Sequence, residues 1–204
     1  GWVSEPADLA RERDAQSLKV SATTDWQHDA SASARFQPTL VMINDSGWDG
    51  NEILQLVPRS ADIIRQCDID LLPAKMLEVS APDGVRDFSR SNAKLLTDKV
   101  GSQGPRVFFV RDTLDRPAFE AVTFGTANSK SNPALRFTVW ITAATRDPHI
   151  ALAHELAHVL LDDGSHTQSP GNLMHSDTSS GSVELSAKQC TKMRHMARLN
   201  ELLD

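Results

Sequence analysis

The segment His154-Glu-Leu-Ala-His158 constrains this chain more than any other stretch. It sits in a run whose apolar residues, Ile150, Leu152, Leu156, Val159 and Leu160, recur at helical spacing. Asp147-Pro148 predicts the helix start, because an Asp side chain accepts from the first free amides and Pro suits the first helical position. Gly164 predicts its end. Residues four apart on a helix share one face, with Cβ atoms about 6 Å apart. Two imidazoles so placed can hold one zinc ion, and Glu155 beside the first can take a proton from a zinc-bound water. Zinc lowers the pKa of that water toward about 7 and polarises a carbonyl. The plain alternative is a pair of solvated histidines, with Ala151, Leu152, Leu156 and Leu160 forming the buried face.

A zinc site of this kind takes a third protein ligand and keeps one position open. His166 follows the helix-ending glycine directly and is the expected third ligand. Asp162, Asp163, His175 and Glu184 are its rivals, and a solvated loop histidine or a helix C-terminal cap is the alternative for His166 itself. His149 and His195 read as surface positions.

The chain has 204 residues, enough for one domain with a real core. Residues 1–37 are polar and weakly periodic, and are expected to form a loosely ordered extension with one short helix around Ala7–Gln16. The folded domain is expected over 38–204. Thr39–Ile43 reads as a buried strand, and Asn51–Cys67 as an amphipathic helix restarting at Pro58. Ile69–Val79 reads as one strand and Ser91–Lys99 as a helix. Arg106–Val110, Ala121–Phe124 and Phe137–Ile141 read as three further strands, and Ser186–Leu203 as a final helix capped by Ser186. This order predicts an α+β fold, a mixed twisted sheet carrying the active-site helix and a C-terminal helix. The formal net charge is −6, and no basic block is present to bind phosphates or an anionic membrane. No apolar run is long enough to span a bilayer, and no signal pattern follows Gly1-Trp-Val-Ser-Glu.

The pattern His154-Glu-Leu-Ala-His158, a glycine turn, His166 and then Asn172-Leu-Met174 resembles the metzincin metallopeptidases. The resemblance covers about residues 150–176. It implies a zinc endopeptidase with one catalytic Zn2+ on His154, His158 and His166, Glu155 as general base, and Met174 as the methionine of the family's Met-turn. It implies an upper subdomain over about 38–165 and a lower one over about 166–204. It also implies that the strand around Phe124-Gly-Thr-Ala127 borders the cleft, with Gly125, Thr126 and Ala127 binding an extended peptide through main-chain hydrogen bonds; a core strand turning at Gly125 is the alternative. The spacing departs from the family's. Where the family has Gly three and His six residues after the second His, this chain has Leu161 and Gly164, and His166 comes eight after. A helix nearly one turn longer is expected. With Glu184 as third ligand the site would instead resemble a gluzincin. A catalytically inactive binding module on the same scaffold is the remaining alternative.

The chain has no Tyr, so no tyrosine can steady an oxyanion. Zinc would carry that charge, with His175 or His195 as helpers. Cys67 and Cys190 read either as one disulfide, suiting an oxidising compartment, or as two buried thiols. A secreted or periplasmic peptidase of bacterial type fits this composition, acting on protein or peptide substrates. It is either a nutritional enzyme or a toxin or effector delivered into another cell, for which a cognate inhibitor is expected.

Overall fold

Strands β3 (Thr39–Ile43), β6 (Arg106–Val110) and β8 (Thr138–Thr142) are buried at every position. Their unbroken apolar runs are what a strand covered on both faces requires. They pair in parallel, together with β5 (Lys75–Ser80), and form the middle of a six-stranded sheet. Antiparallel strands close both ends: β1 (Lys19–Thr24) on β5, and β7 (Ala121–Phe124) on β8. The order is β1-β5-β3-β6-β8-β7. The computed structural model describes residues 7–24, 34–101 and 104–204. The fold is α+β with a mixed sheet, as the element order predicts.

Side chains alternate across this sheet and so build two cores. On one face Val107, Phe109, Val139 and Ile141 pack with α2 (Gly50–Ile64), α4 (Pro148–Leu161) and α5 (Ala187–Leu199). On the other, Val41, Phe108, Val110 and Trp140 pack with Ala93 and Leu96 of α3 (Arg90–Val100). Trp140 stacks on Phe108 with ring centroids 4.1 Å apart. Helix α4 is buried at every position from Ile150 to Leu161, between sheet, α2 and α5. A solvated face for its histidines is thereby excluded: His154 is 4% and His158 6% exposed.

Several boundaries differ from expectation. The segment before residue 38 is not all loose extension. Helix α1 spans Ala7–Ser17, and β1 joins the main sheet through backbone pairing that its polar sequence does not advertise. Strand β2 (Ala34–Phe36) pairs in parallel with β4 (Ile69–Leu71), and Arg35 and Asp204 exchange backbone hydrogen bonds. Residues 1–6 and 25–33 lie outside the described ones. The expected strand Ile69–Val79 is two, β4 and β5, parted at Leu72–Ala74. Helix α2 runs through Pro58 without restarting, and Cys67 lies beyond it in a 3-10 turn, Arg65–Cys67. Asp147 precedes α4 in the left-handed region (φ 44°) with no side-chain cap; its carbonyl accepts from Ile150 and Ala151. Helix α5 ends at Leu199, while Ser186 caps it with a full capping box shared with Gln189.

Candidate active site

Helix α4 ends at Leu161, not at Gly164. Asp162 adopts the left-handed conformation (φ 49°) and breaks it. Asp tolerates this region better than most residues because its short polar side chain can bond locally. Here both oxygens of Asp162 are used: Oδ1 accepts from Thr126 N (2.8 Å), and Oδ2 from Thr126 Oγ1 (2.6 Å) and Asn200 Nδ2 (3.2 Å). The helix is therefore not a turn longer than the resemblance implies. The additional residues before His166 form the loop Asp163–Ser165, in which Asp163 Oδ1 accepts from Ser165 N and Oγ.

That loop returns His166 to the end of the helix. His154 Nε2 and His158 Nε2 lie 3.0 Å apart, and His158 Nε2 and His166 Nε2 3.2 Å apart. Among the described residues these three form the one His/Cys/Asp/Glu group compact enough to hold a metal, and Glu184 is not in it. Nor are the other rivals. Asp162 and Asp163 are engaged as above, and His175 Nδ1 accepts from Asp177 N.

The donor set fits a cation. His154 Nδ1–H donates to Leu173 O (2.6 Å), and His158 Nδ1–H to Asp163 O (2.7 Å). Each bond fixes the proton on Nδ1 and leaves a lone pair on Nε2. The facing Nε2 atoms of His154 and His158 therefore have no hydrogen to share unless a ring becomes imidazolium. Burial opposes that: it pushes His158 down to about 4 and holds His154 and His166 below the ordinary value. Converging lone pairs with no proton between them repel, and a divalent ion removes the repulsion.

Glu155 is 9% exposed, and its carboxylate accepts from Thr123 Oγ1 of β7 in a short hydrogen bond. Burial raises its pKa to about 7, against the opposing pull of Thr123 and His166. The group is thus poised to exchange a proton near neutrality. A cleft of about 410 Å³ opens here, lined by Ala121–Thr123, Gly125, Ala127, Asn128, Glu155, His158 and His166, among others.

Strand β7 is the sheet edge beside this cleft, and it stops at Phe124. The edge strand expected through Ala127 is a turn instead. Asn128 Oδ1 accepts from Gly125 N, Asn128 Nδ2 donates to Thr123 O, and Ser129 Oγ donates to Gly125 O. The amides of Gly125 and Thr126 are therefore committed internally, although Gly125 and Ala127 do line the cleft. Met174 is 2% exposed, in the turn that presents Leu173 O to His154; its N–H donates to Asn172 Oδ1 (2.9 Å). Cys67 and Cys190 form a disulfide between the end of α2 and α5. His195 is exposed.

No family model and no curated protein matches the chain. Among solved structures, metalloproteinase-II from Bacteroides fragilis matches with a TM-score of 0.59 at 16% identity, over 86% of this chain and 56% of that one. The fold is metalloproteinase-like. The chain spans little more than half the length of that neighbour.

Thr123, Asn128, Gln189 and Lys192 make contacts around the cluster that sequence reasoning misses, and Asn172, quoted only as part of a motif, is the partner of Gln189. No local pattern marks a strand threonine or a helix-face glutamine as a partner of a residue tens of positions away. The one available signal is Gln189 at the third position after Ser186, which announces a capping box and nothing more.

Proposed function

We propose that the chain is a zinc-dependent endopeptidase of metzincin-like build, with His154, His158 and His166 as zinc ligands and Glu155 as general base. The observation that carries this reading is the convergence of three Nε2 atoms, those of His154 and His158 left unprotonated by their Nδ1 bonds, beside a buried carboxylate at the wall of an open cleft. A zinc ion held there would supply Lewis acidity toward water and the scissile carbonyl. The chain's own part is positioning and proton transfer. Glu155, oriented by Thr123, takes the proton of the attacking water and delivers it to the leaving amine.

Substrate in this reading is an extended protein or peptide segment lying along β7. Glu120 O and Phe124 O both accept from the β8 side, so alternation turns the backbone groups of Ala121 and Thr123 outward. Main-chain pairing is assigned to Ala121 and to the N–H of Thr123, whose carbonyl is taken by Asn128 Nδ2, with Gly125 and Ala127 shaping the adjoining wall. Met174 takes the Met-turn role beneath the site. The disulfide supports a secreted or periplasmic setting, in keeping with bacterial-type export or delivery into another cell and a cognate inhibitor. No described helix is long and apolar enough to cross a membrane.

Cleavage of an unfolded protein substrate by wild type and Glu155→Gln, with metal analysis of both, tests the proposal. The expected outcome is about one zinc per chain in each and activity about 10²–10⁴-fold lower in the variant. Equal cleavage would remove Glu155 from the chemistry. His166→Ala should lose zinc and Glu184→Ala should keep it; the reverse would favour a gluzincin-like ligand set.

A further inference from the structure

Helix α5 contributes no ligand, yet it holds both carbonyls that orient the two helical histidines. Leu173 O, the acceptor for His154, lies in the turn after Asn172. Asn172 and Gln189 of α5 form a reciprocal amide pair: Asn172 Nδ2 donates to Gln189 Oε1 (2.8 Å), and Gln189 Nε2 donates to Asn172 Oδ1 (2.9 Å). Asn172 Oδ1 also accepts from Met174 N, so the pair fixes the turn on both sides of Leu173. Asp163 O, the acceptor for His158, belongs to a residue whose Oδ2 accepts from Lys192 Nζ of α5 (2.6 Å). Lys192 is the first of the partners that draw the Asp163 carboxyl well below its usual range, followed by Ser165. Gln189 and Lys192 are three apart and share a helix face, and Cys190 between them is bonded to Cys67.

From this geometry we infer that Gln189 and Lys192 are positioning residues of the metal centre, setting zinc affinity through the carbonyls of Leu173 and Asp163. The inference rests on the proposed zinc site. The two partners differ in strength. The amide pair is half-buried and bidentate, so it locks a direction. The Lys192–Asp163 pair is half-exposed and screened by solvent, so it contributes less.

Zinc affinity of the metal-free chain, measured by competition with a chromogenic chelator, tests this, with apo-state unfolding followed in parallel. Gln189→Ala should weaken zinc binding about ten-fold, the low end for partners that orient metal ligands. Lys192→Ala should weaken it roughly two- to five-fold and Lys192→Arg should restore it. Ser186→Ala separates positioning from helix stability: it removes the cap that Gln189 N–H uses but leaves the amide pair, so it should lower the melting temperature and keep wild-type affinity. Lys188→Ala, exposed on the same helix, should change neither. Gln189→Met, of similar length, serves where the alanine variant folds poorly. Wild-type affinity in folded Gln189→Ala or Gln189→Met would overturn the inference while leaving the zinc site standing. A wild-type chain that binds no zinc would overturn both.

Discussion

At the scale of single residues, His154 and His158 are defined by the nitrogen that faces away from the cluster. Leu173 O and Asp163 O take the Nδ1 protons of His154 and His158, and this turns two buried imidazoles from hydrogen-bonding groups into lone-pair donors. His149, one turn before them, shows a related environment without the site. Its Nε2 accepts from Arg59 Nη2 (3.2 Å), and burial first, then the Arg59 charge, hold its pKa below the ordinary value against the opposing pull of Asp147. The unfolded chain therefore takes up the proton first as pH falls. The stability this neutral ring contributes is complete above about pH 6.5 and is lost as pH falls toward its folded value. Comparing urea unfolding of wild type and His149→Gln between pH 5 and 7.5 should show a shallower pH slope in the variant; equal slopes would contradict it. The shared face of His154 and His158 was legible in the sequence because helical spacing alone places the two together, whereas His166 reaches them only through the loop after the helix. The orienting carbonyls were not, since any residue has one and only the tertiary fold chooses.

At the scale of elements, the end of α4 and the end of β7 are one construction. Asp162 breaks the helix and its carboxylate clamps Thr126, so the turn after the edge strand is tied to the residue after α4. Gly125 sits inside this clamp: a Cβ there would lie 2.7 Å from Asp162 Oδ1. Gly125→Ala should push the carboxylate off Thr126 and shift the cleft wall. The expected result is a loss of catalytic efficiency of about ten-fold or more with zinc content retained, because misplacement by about 1 Å is costly even away from the reacting atoms. Unchanged kcat/KM would show that the wall tolerates the shift. The sequence placed the helix and its histidines but misjudged its end, because Gly164 is the better left-handed residue and Asp162 took the role through its tertiary bonds. Strand β1 was missed for a different reason. This edge strand is held by backbone pairing while Lys19–Ala22 stay exposed, so Val20 and Ala22 give only a weak alternation in a polar stretch.

At the scale of the whole molecule, one sheet face and two helices enclose α4, and the disulfide joins the far ends of that enclosure. Cys67 and Cys190 are 123 residues apart, so the bond restricts most of the unfolded chain. Replacing both by Ala should lower stability by about 2–5 kcal/mol in urea unfolding. A loss below about 0.5 kcal/mol would mean that packing around Met193 and Ile64 holds α5 without it. The buried strands and the mixed sheet were legible as continuous apolar runs; the pairing of the two cysteines and the docking of the C-terminal residues on β2 depend on long-range closure that no local pattern records. All three scales meet at the point between the three Nε2 atoms. Anomalous diffraction at the zinc edge from zinc-soaked crystals interrogates that point directly. The expected result is a single strong peak about 2.0–2.1 Å from the Nε2 atoms of His154, His158 and His166. An empty map there, with the chain folded and the imidazoles in place, would contradict the assignment of a metal centre.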